Sequence, residues 1–299
     1  MQINNFENDL VCGNILPMRK RHLESCRGNR EMSTLRVLGW ITALCACASA
    51  WAAPPSTGAA SSDPRAIRFA AEDWPPFVSP ALPGDGLSGS MVRAAFERAG
   101  YRLKIDYFPW KRTMQFGLKH PQYAGFMAVW RTAEREQLCH FSSPIGNTLT
   151  VLAYLKDAPP QVASLADLKG TTIGTVAGYS NGEQFDAMVR RAELTVEEGV
   201  NDDINLKKLL IKRFRMIVIE KHVLRHHLAS SHFGKAERAR IGIIDNLFKE
   251  RPVYLCFKRT AEGLVQQKRF NEAAKDIDLL RLERDYWKRS GDEAQAAGE

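Results

Sequence analysis

Apolar and polar positions alternate with the period of a strand over AIRFA (66–70) and again over LKIDYF (103–108). Between them Val92, Ala95, Phe96 and Ala99 fall at i, i+3, i+4 and i+7, the spacing of a helix with one buried face, and Gly100 is expected to stop it. Trp110 to Leu118 repeats the helical period, with Trp110, Thr113, Met114 and Gly117 on one side. The two prolines of EDWPPF (72–77) end any regular element and should present Trp74 and Phe77 on a loop. GLSGS (86–90) reads as a turn and a helix cap.

The theme restarts after residue 160. LADLKG (165–170) precedes a buried strand, TTIGTV (171–176), a glycine-rich turn and a helix over 182–192. A helix over 203–212, the strand MIVIE (216–220) and a helix over 221–228 follow. Strands RIGII (240–244) and VYLCF (253–257) and two terminal helices complete the chain. Strand–helix alternation with short connections predicts α/β sheets covered on both faces. Two such units with a crossing in the middle predict two lobes and a cleft.

Composition narrows the class. The chain is 44% hydrophobic and 25% charged over 299 residues, ample for a packed core. Its net charge of +8 is spread over mixed or short runs such as KRFR (212–215) and RLERDYWKR (281–289), which suit solvated surfaces. No nucleic-acid-binding motif accompanies the basicity.

Val37 to Ala50 is a short apolar stretch preceded by Arg36 and followed by Trp51-Ala52. A basic flank, a brief apolar core and small residues at the cleavage positions describe a secretory signal peptide. It is too short to span a bilayer. An uncleaved interfacial helix is the alternative, and the Cys45 region is a poor lipoprotein box. Residues 1–31 make an unusually long polar leader, and Met32 opens a more ordinary signal, so translation is expected to start there. The expected organisation is a leader and signal peptide over 1–52 and a flexible Pro/Ser/Gly/Ala-rich linker over 53–65. One lobe should then comprise 66–147 plus 252–290, the other 148–251, with a flexible tail at 291–299. Cleavage after Ala52 would leave a net charge of +6 and two cysteines, Cys139 and Cys256. An oxidising compartment would permit a bridge between them; spacing alone does not decide it.

Four segments together carry a resemblance. WRTAEREQLCHFSSPI (130–145) resembles the Thr-x-x-Arg and Phe-Ser-x-Pro-Tyr signature of the bacterial extracellular solute-binding proteins of family 3, which serve polar amino-acid transport. PWKRTMQFG (109–117), LADLKGTTIGTVAGYSNG (165–182) and LKKLLIKRFRMIVIEKHVL (206–224) are similar to further segments of that family, in the same order. The resemblance spans roughly 66–288. It implies a type II periplasmic-binding fold, two lobes joined by two crossing strands near 146–150 and 246–253, and closure on a small ligand. The implied function is capture of an amino acid or similar carboxylate in the periplasm by a monomer, for delivery to ABC transporter membrane subunits.

Candidate site residues follow from the resemblance and from their own chemistry. Arg135 stands where the family holds the ligand carboxylate, and its planar guanidinium fork meets a carboxylate bidentately. Thr132 would position a neighbouring donor or merely cap a helix. Ser180 lies in the turn GTVAGYSNG (174–182), where free amides at a helix start suit an anion. Glu220 stands where the family binds an amino group; alternatively it starts the next helix. Trp74 resembles the family's stacking aromatic, and Trp130 and Trp110 are candidates for the same wall. The sequence departs from the family at Met127-Ala128-Val129-Trp130, at Ser90 and at Arg215, which puts the amino-group contacts in question more than the carboxylate contacts.

No cofactor is implied. His222, His226 and His227 fall at i, i+4 and i+5 on a helix, but no third ligand or HExxH pattern accompanies them. No nucleophile elbow is present. The enzymatic alternative is a cyclohexadienyl (prephenate/arogenate) dehydratase-like protein on the same fold, with Glu220 as the acid and Arg135 as the carboxylate anchor. A periplasmic sensing protein is a third reading.

Overall fold

The structure is a computed structural model that describes residues 63–289 of the chain. The expected leader and signal peptide, the linker up to residue 62 and the tail at 291–299 lie outside the described residues.

Strand β1 (Ala66–Ala71) opens the first sheet and buries Ile67 and Phe69, the apolar partners in its alternation. The chain then turns tightly: Trp74 N–H donates to the Val78 carbonyl at 2.7 Å and Val78 N–H returns to Trp74 at 3.0 Å. This turn folds Trp74 inward, 5% exposed and stacked on Phe77 at 4.7 Å, so neither aromatic is displayed on an open loop. Helix α1 (Gly86–Arg98) begins within the segment read as a turn, with Gly86, Leu87, Ser88 and Gly89 as buried helical residues. Gly100 ends its descent at φ 82°, which lets Tyr101 N–H reach the Phe96 carbonyl at 2.8 Å. Strand β2 (Arg102–Tyr107), helix α2 (Trp110–Lys119) and strand β3 (Gly125–Trp130) follow, with β2 and β3 flanking β1 in parallel. A short helix α3 (Ala133–Glu136) leads into β4 (Cys139–Phe141) and β5 (Gly146–Thr148).

The second sheet starts two residues later with β6 (Thr150–Leu155). It is built further from β7 (Thr172–Val176), α4 (Glu183–Arg190), β8 (Thr195–Gly199), α5 (Asp202–Leu210) and β9 (Met216–Glu220). Helices α6 (Lys221–Ala229) and α7 (Lys235–Ala239) and strand β10 (Ile241–Ile244) complete it. Strand β11 (Arg251–Lys258) returns to the first sheet, followed by α8 (Ala261–Ala274) and α9 (Leu279–Arg289).

The sheet orders are β2-β1-β3-β11-β4, with β5 also on β11, and β10-β6-β9-β7-β8. The fold is therefore a two-lobed α/β one. The chain leaves the first sheet at β5 and re-enters it at β11, and the two passages pair antiparallel, Gly146 opposite Val253 and Thr148 opposite Arg251.

Strands β3 and β6 were not apparent in the hydrophobic pattern. GFMAVW and TVLAYL are buried on both faces, so no alternation of period two marks them. β3 also carries a bulge: Met127 pairs with Leu255 and Val129 with Tyr254, leaving Ala128 as the extra residue at φ 59°. Cys139 and Cys256 form a disulfide across β4 and β11, with Cα atoms 5.2 Å apart. Among the described residues no helix is long and apolar enough to cross a membrane.

Candidate functional site

The site lies where the end of β1, the bulged end of β3 and the turn after β7 meet. Thr132 is the N-cap of α3: its hydroxyl accepts the N–H of Arg135 at 3.2 Å and sets where the arginine leaves the helix. Arg135, 8% exposed, sends one guanidinium nitrogen to the Trp130 carbonyl (2.9 Å) and another to the Gly178 carbonyl (3.1 Å). Burial lowers its pKa, opposed by the charge of Asp186, and it stays cationic near neutrality. The same Gly178 carbonyl accepts the Trp110 indole N–H at 2.8 Å. Gly178 sits at φ 81°, the left-handed conformation that aims its carbonyl into this pair of donors.

A second arginine joins the first. Arg251, at the start of β11, donates to the Ser180 carbonyl (3.1 Å) and the Thr150 hydroxyl (3.2 Å), with its guanidinium 4.3 Å from the Trp130 ring centroid. Burial lowers its pKa to about 10, so it too is charged at neutral pH. Trp130 is pinned in turn by its indole N–H to the Thr148 hydroxyl at 2.8 Å. The sequence had suggested Arg251 only as part of a hinge.

Ser180 is at the junction, but its hydroxyl donates to Asp186 (2.7 Å), and the next amide, of Asn181, does so as well (2.9 Å). Asp186, in the first turn of α4, thus engages groups that the sequence reading left free for an anion. It is also the carboxylate whose charge acts on both arginines. The spacing of Ser180 and Asp186 along one helix start was the available signal for this pairing.

Beside the arginines is a cavity of about 10 Å³, lined by Glu72, Trp74, Trp110, Met127, Ala128, Trp130 and Tyr179. Such a volume holds about one water-sized group. Tyr179, from the second sheet's turn, donates to Glu72 of the first at 2.6 Å. Burial raises Glu72 to about 8 and Tyr179 well above its ordinary value. Asp202, also buried, is raised to about 7; the Trp74 indole nitrogen favours its charged form without reaching hydrogen-bond geometry.

Glu220 is used differently from the expectation that its carboxylate meets an amino group. One oxygen accepts from Leu149 N–H (3.1 Å); the other caps α6 by accepting from His222 (2.6 Å) and Val223 (2.8 Å). Both oxygens are committed to main chain, and the carboxylate lining the cavity is Glu72. Glu72 carries no local sequence signal for this place, because its partner Tyr179 lies 107 residues away on the other sheet. Of the candidates, Arg135, Thr132, Trp74, Trp130 and Ser180 are brought together; Glu220 does not line the cavity. Among the described residues no group of three or more His, Cys, Asp or Glu side chains is placed to hold a metal.

Burial raises Glu72, Glu220 and Asp202 to about 8, 8 and 7. The folded chain therefore keeps protons that the unfolded chain has lost above its ordinary carboxylate pKa. Stability from this source is full below about pH 4, falls as pH rises to about 8, and is level beyond, with a slope of up to about 1.4 kcal/mol per pH unit per group. The half-buried His227, lowered to about 4, and His226, also lowered, act the other way up to about pH 6.5. The melting temperature should therefore fall between about pH 7 and 8, and Glu72→Gln should flatten that slope. A melting temperature rising over the same range would contradict the burial argument.

No family model matches the sequence, and a search of curated proteins returns no match. Solved structures do match. An ancestral arginine-binding protein bound to arginine superposes with a TM-score of 0.60 at 16% identity, covering 78% of this chain and 96% of that one. The GluR0 ligand-binding core from Nostoc punctiforme, in complex with L-glutamate, gives 0.57 at 21%, covering 77% and 96%. A substrate-binding protein of an amino acid ABC transporter gives 0.56 at 19%, covering 78% and 97%. The chain has the two-lobed fold of periplasmic binding proteins.

Proposed function

We propose that the chain is a periplasmic solute-binding protein that captures an amino acid or similar small carboxylate by lobe closure and delivers it to an ABC transporter. The observation that carries this reading is the convergence of two arginines, the buried Arg135 and the half-buried Arg251, on the Gly178–Ser180 turn of the opposite sheet. A guanidinium pair beside an aromatic-walled cavity suits a ligand carboxylate. The amino-acid ligands of the structural neighbours support the same class. We take 66–147 with 252–290 as one lobe and 148–251 as the other, with Arg135, Thr132, Ser180, Trp74 and Trp130 contacting ligand as the lobes close. Glu220 is assigned to the frame of the second lobe.

The dehydratase-like alternative needs an acid free to protonate a leaving hydroxyl. The main-chain donors on both oxygens of Glu220 weigh against Glu220 in that role. A sensing protein would use the same capture step.

The test is a thermal-shift screen of the exported chain against amino acids, their analogues and prephenate, followed by scattering with the best binder. Binding at 100 times Kd should add about 2.7 kcal/mol of apparent stability. The radius of gyration of the open form should shrink on binding, and the mature chain should begin near Ala53. Absence of any carboxylate binder, prephenate turnover, or a cytoplasmic product with an intact N-terminus would each count against the proposal.

A further inference from the structure

The two lobes meet side chain to side chain over the site, and the space left between them is about 10 Å³. That is room for one water-sized group, and even the smallest amino acid is larger. Among the described residues around this space, Glu72, Trp74, Trp110, Met127, Ala128 and Trp130 come from the first lobe. Tyr179 is the contribution of the second. Its hydroxyl donates to Glu72 at 2.6 Å, and its ring stands at right angles to Trp110 (5.6 Å, 88°) and to Trp130 (5.7 Å, 86°).

A donor on a carboxylate and an apolar body among aromatic rings are contacts that a captured amino acid would use. The side chain of Tyr179 and a ligand therefore compete for one place. The turn that carries Tyr179 is tied to its own lobe: Ala177 N–H donates to the Gly199 carbonyl at 2.9 Å and Tyr179 N–H to the Val176 carbonyl at 3.0 Å. Its Gly178 and Ser180 carbonyls hold Arg135 and Arg251. Each arginine spends two donor contacts here, and a guanidinium has further N–H groups to give a carboxylate. The main chain of the turn can stay in place as a ligand arrives. What has to move is the Tyr179 side chain, by a change of rotamer.

We infer that Tyr179 is an internal plug: it holds the lobes together through Glu72, Trp110 and Trp130, in the place a ligand takes, and capture requires the lobes to part and this side chain to turn aside. This rests on the carboxylate-capture reading above and adds what keeps the site shut beforehand. When only a fraction of molecules is competent to bind, apparent affinity falls by that fraction. Removing the plug should thus tighten binding. Removing an aromatic that contacts the ligand would weaken it, so the sign of the effect separates the two roles.

The test compares the mature parent chain with Tyr179→Ala and with Tyr179→Phe, which keeps the ring and loses the bond to Glu72. Scattering without added amino acid should give Tyr179→Ala a larger radius of gyration than the parent; equal radii overturn the plug. Calorimetry with L-arginine, L-glutamate and L-glutamine follows. The tightest binder of the three should bind Tyr179→Ala about fivefold or more tighter than the parent, with Tyr179→Phe between them. In stopped-flow mixing, its rate of binding to the parent should level off with rising concentration, at the rate of opening, and at a higher level in Tyr179→Phe. A rate that rises in proportion throughout overturns the plug, and this arm decides if Tyr179→Ala does not fold. If both variants bind more weakly than the parent, Tyr179 is a ligand contact and the plug is overturned, while carboxylate capture stands. If none of the three amino acids binds any chain, amino-acid capture falls and the scattering still decides the plug.

Discussion

Replacing Arg135 by lysine should lower affinity for the best carboxylate ligand by about tenfold to a hundredfold, although the charge is kept. Lysine presents a single ammonium in place of a planar fork, so one charge-assisted hydrogen bond to a buried group is lost, worth roughly 1.5–3 kcal/mol. Its ammonium also cannot span the Trp130 and Gly178 carbonyls that the guanidinium now joins at 2.9 and 3.1 Å, so lobe closure loses a contact as well. Arg251→Lys should act in the same direction through the Ser180 carbonyl and the face of Trp130. Ser180→Ala should cost less, because the hydroxyl is spent on Asp186. Glu220→Gln should alter melting rather than affinity, since its oxygens serve main-chain donors at the start of α6. Calorimetry on the four variants reads all of this. An Arg135→Lys chain that binds as tightly as the parent would remove the carboxylate from this position.

The order of elements was legible where one face of an element is buried and the other wet, as in β1 and the helix through Val92, Ala95 and Phe96. It was not legible in β3 and β6, whose residues are buried on both faces and show no period. Half of the site was readable for a related reason. Arg135 and Trp130 belong to one contiguous motif, and Ser180 to another, so local sequence carried them. Glu72, Tyr179 and Arg251 acquire their roles only through contacts across the two sheets, over sequence separations of 107 and 71 residues. Glu220 shows the reverse case. A carboxylate at the junction of a strand and a helix is equally suited to a ligand amine and to the amides of the helix it starts, and in the structure the amides hold it.

Reducing the Cys139–Cys256 disulfide should destabilise the chain by about 2–5 kcal/mol and lower its melting temperature by about 5–15 °C. The bond closes a loop of 117 residues, which contains the whole second sheet, and ties β4 to β11 at the point where the chain has come back from it. A cross-link over a loop of that length removes on the order of 5 kcal/mol of conformational freedom from the unfolded chain, of which native proteins typically realise less. Both cysteines are buried beside Trp110 and Phe126, so substitution would add a packing defect to the loss of the bond. Comparison of the oxidised and reduced forms of the same chain separates the two, because every side chain is retained and only the bond differs. Cys139 also lies four residues beyond Arg135, at the far side of the short helix that carries it. Reduction should therefore weaken ligand binding as well, by less than Arg135→Lys does. Thiol counting on the unfolded, exported chain should find neither Cys139 nor Cys256 free. Two free thiols there, or equal melting temperatures with and without reductant, would show that the bond contributes nothing to the folded state.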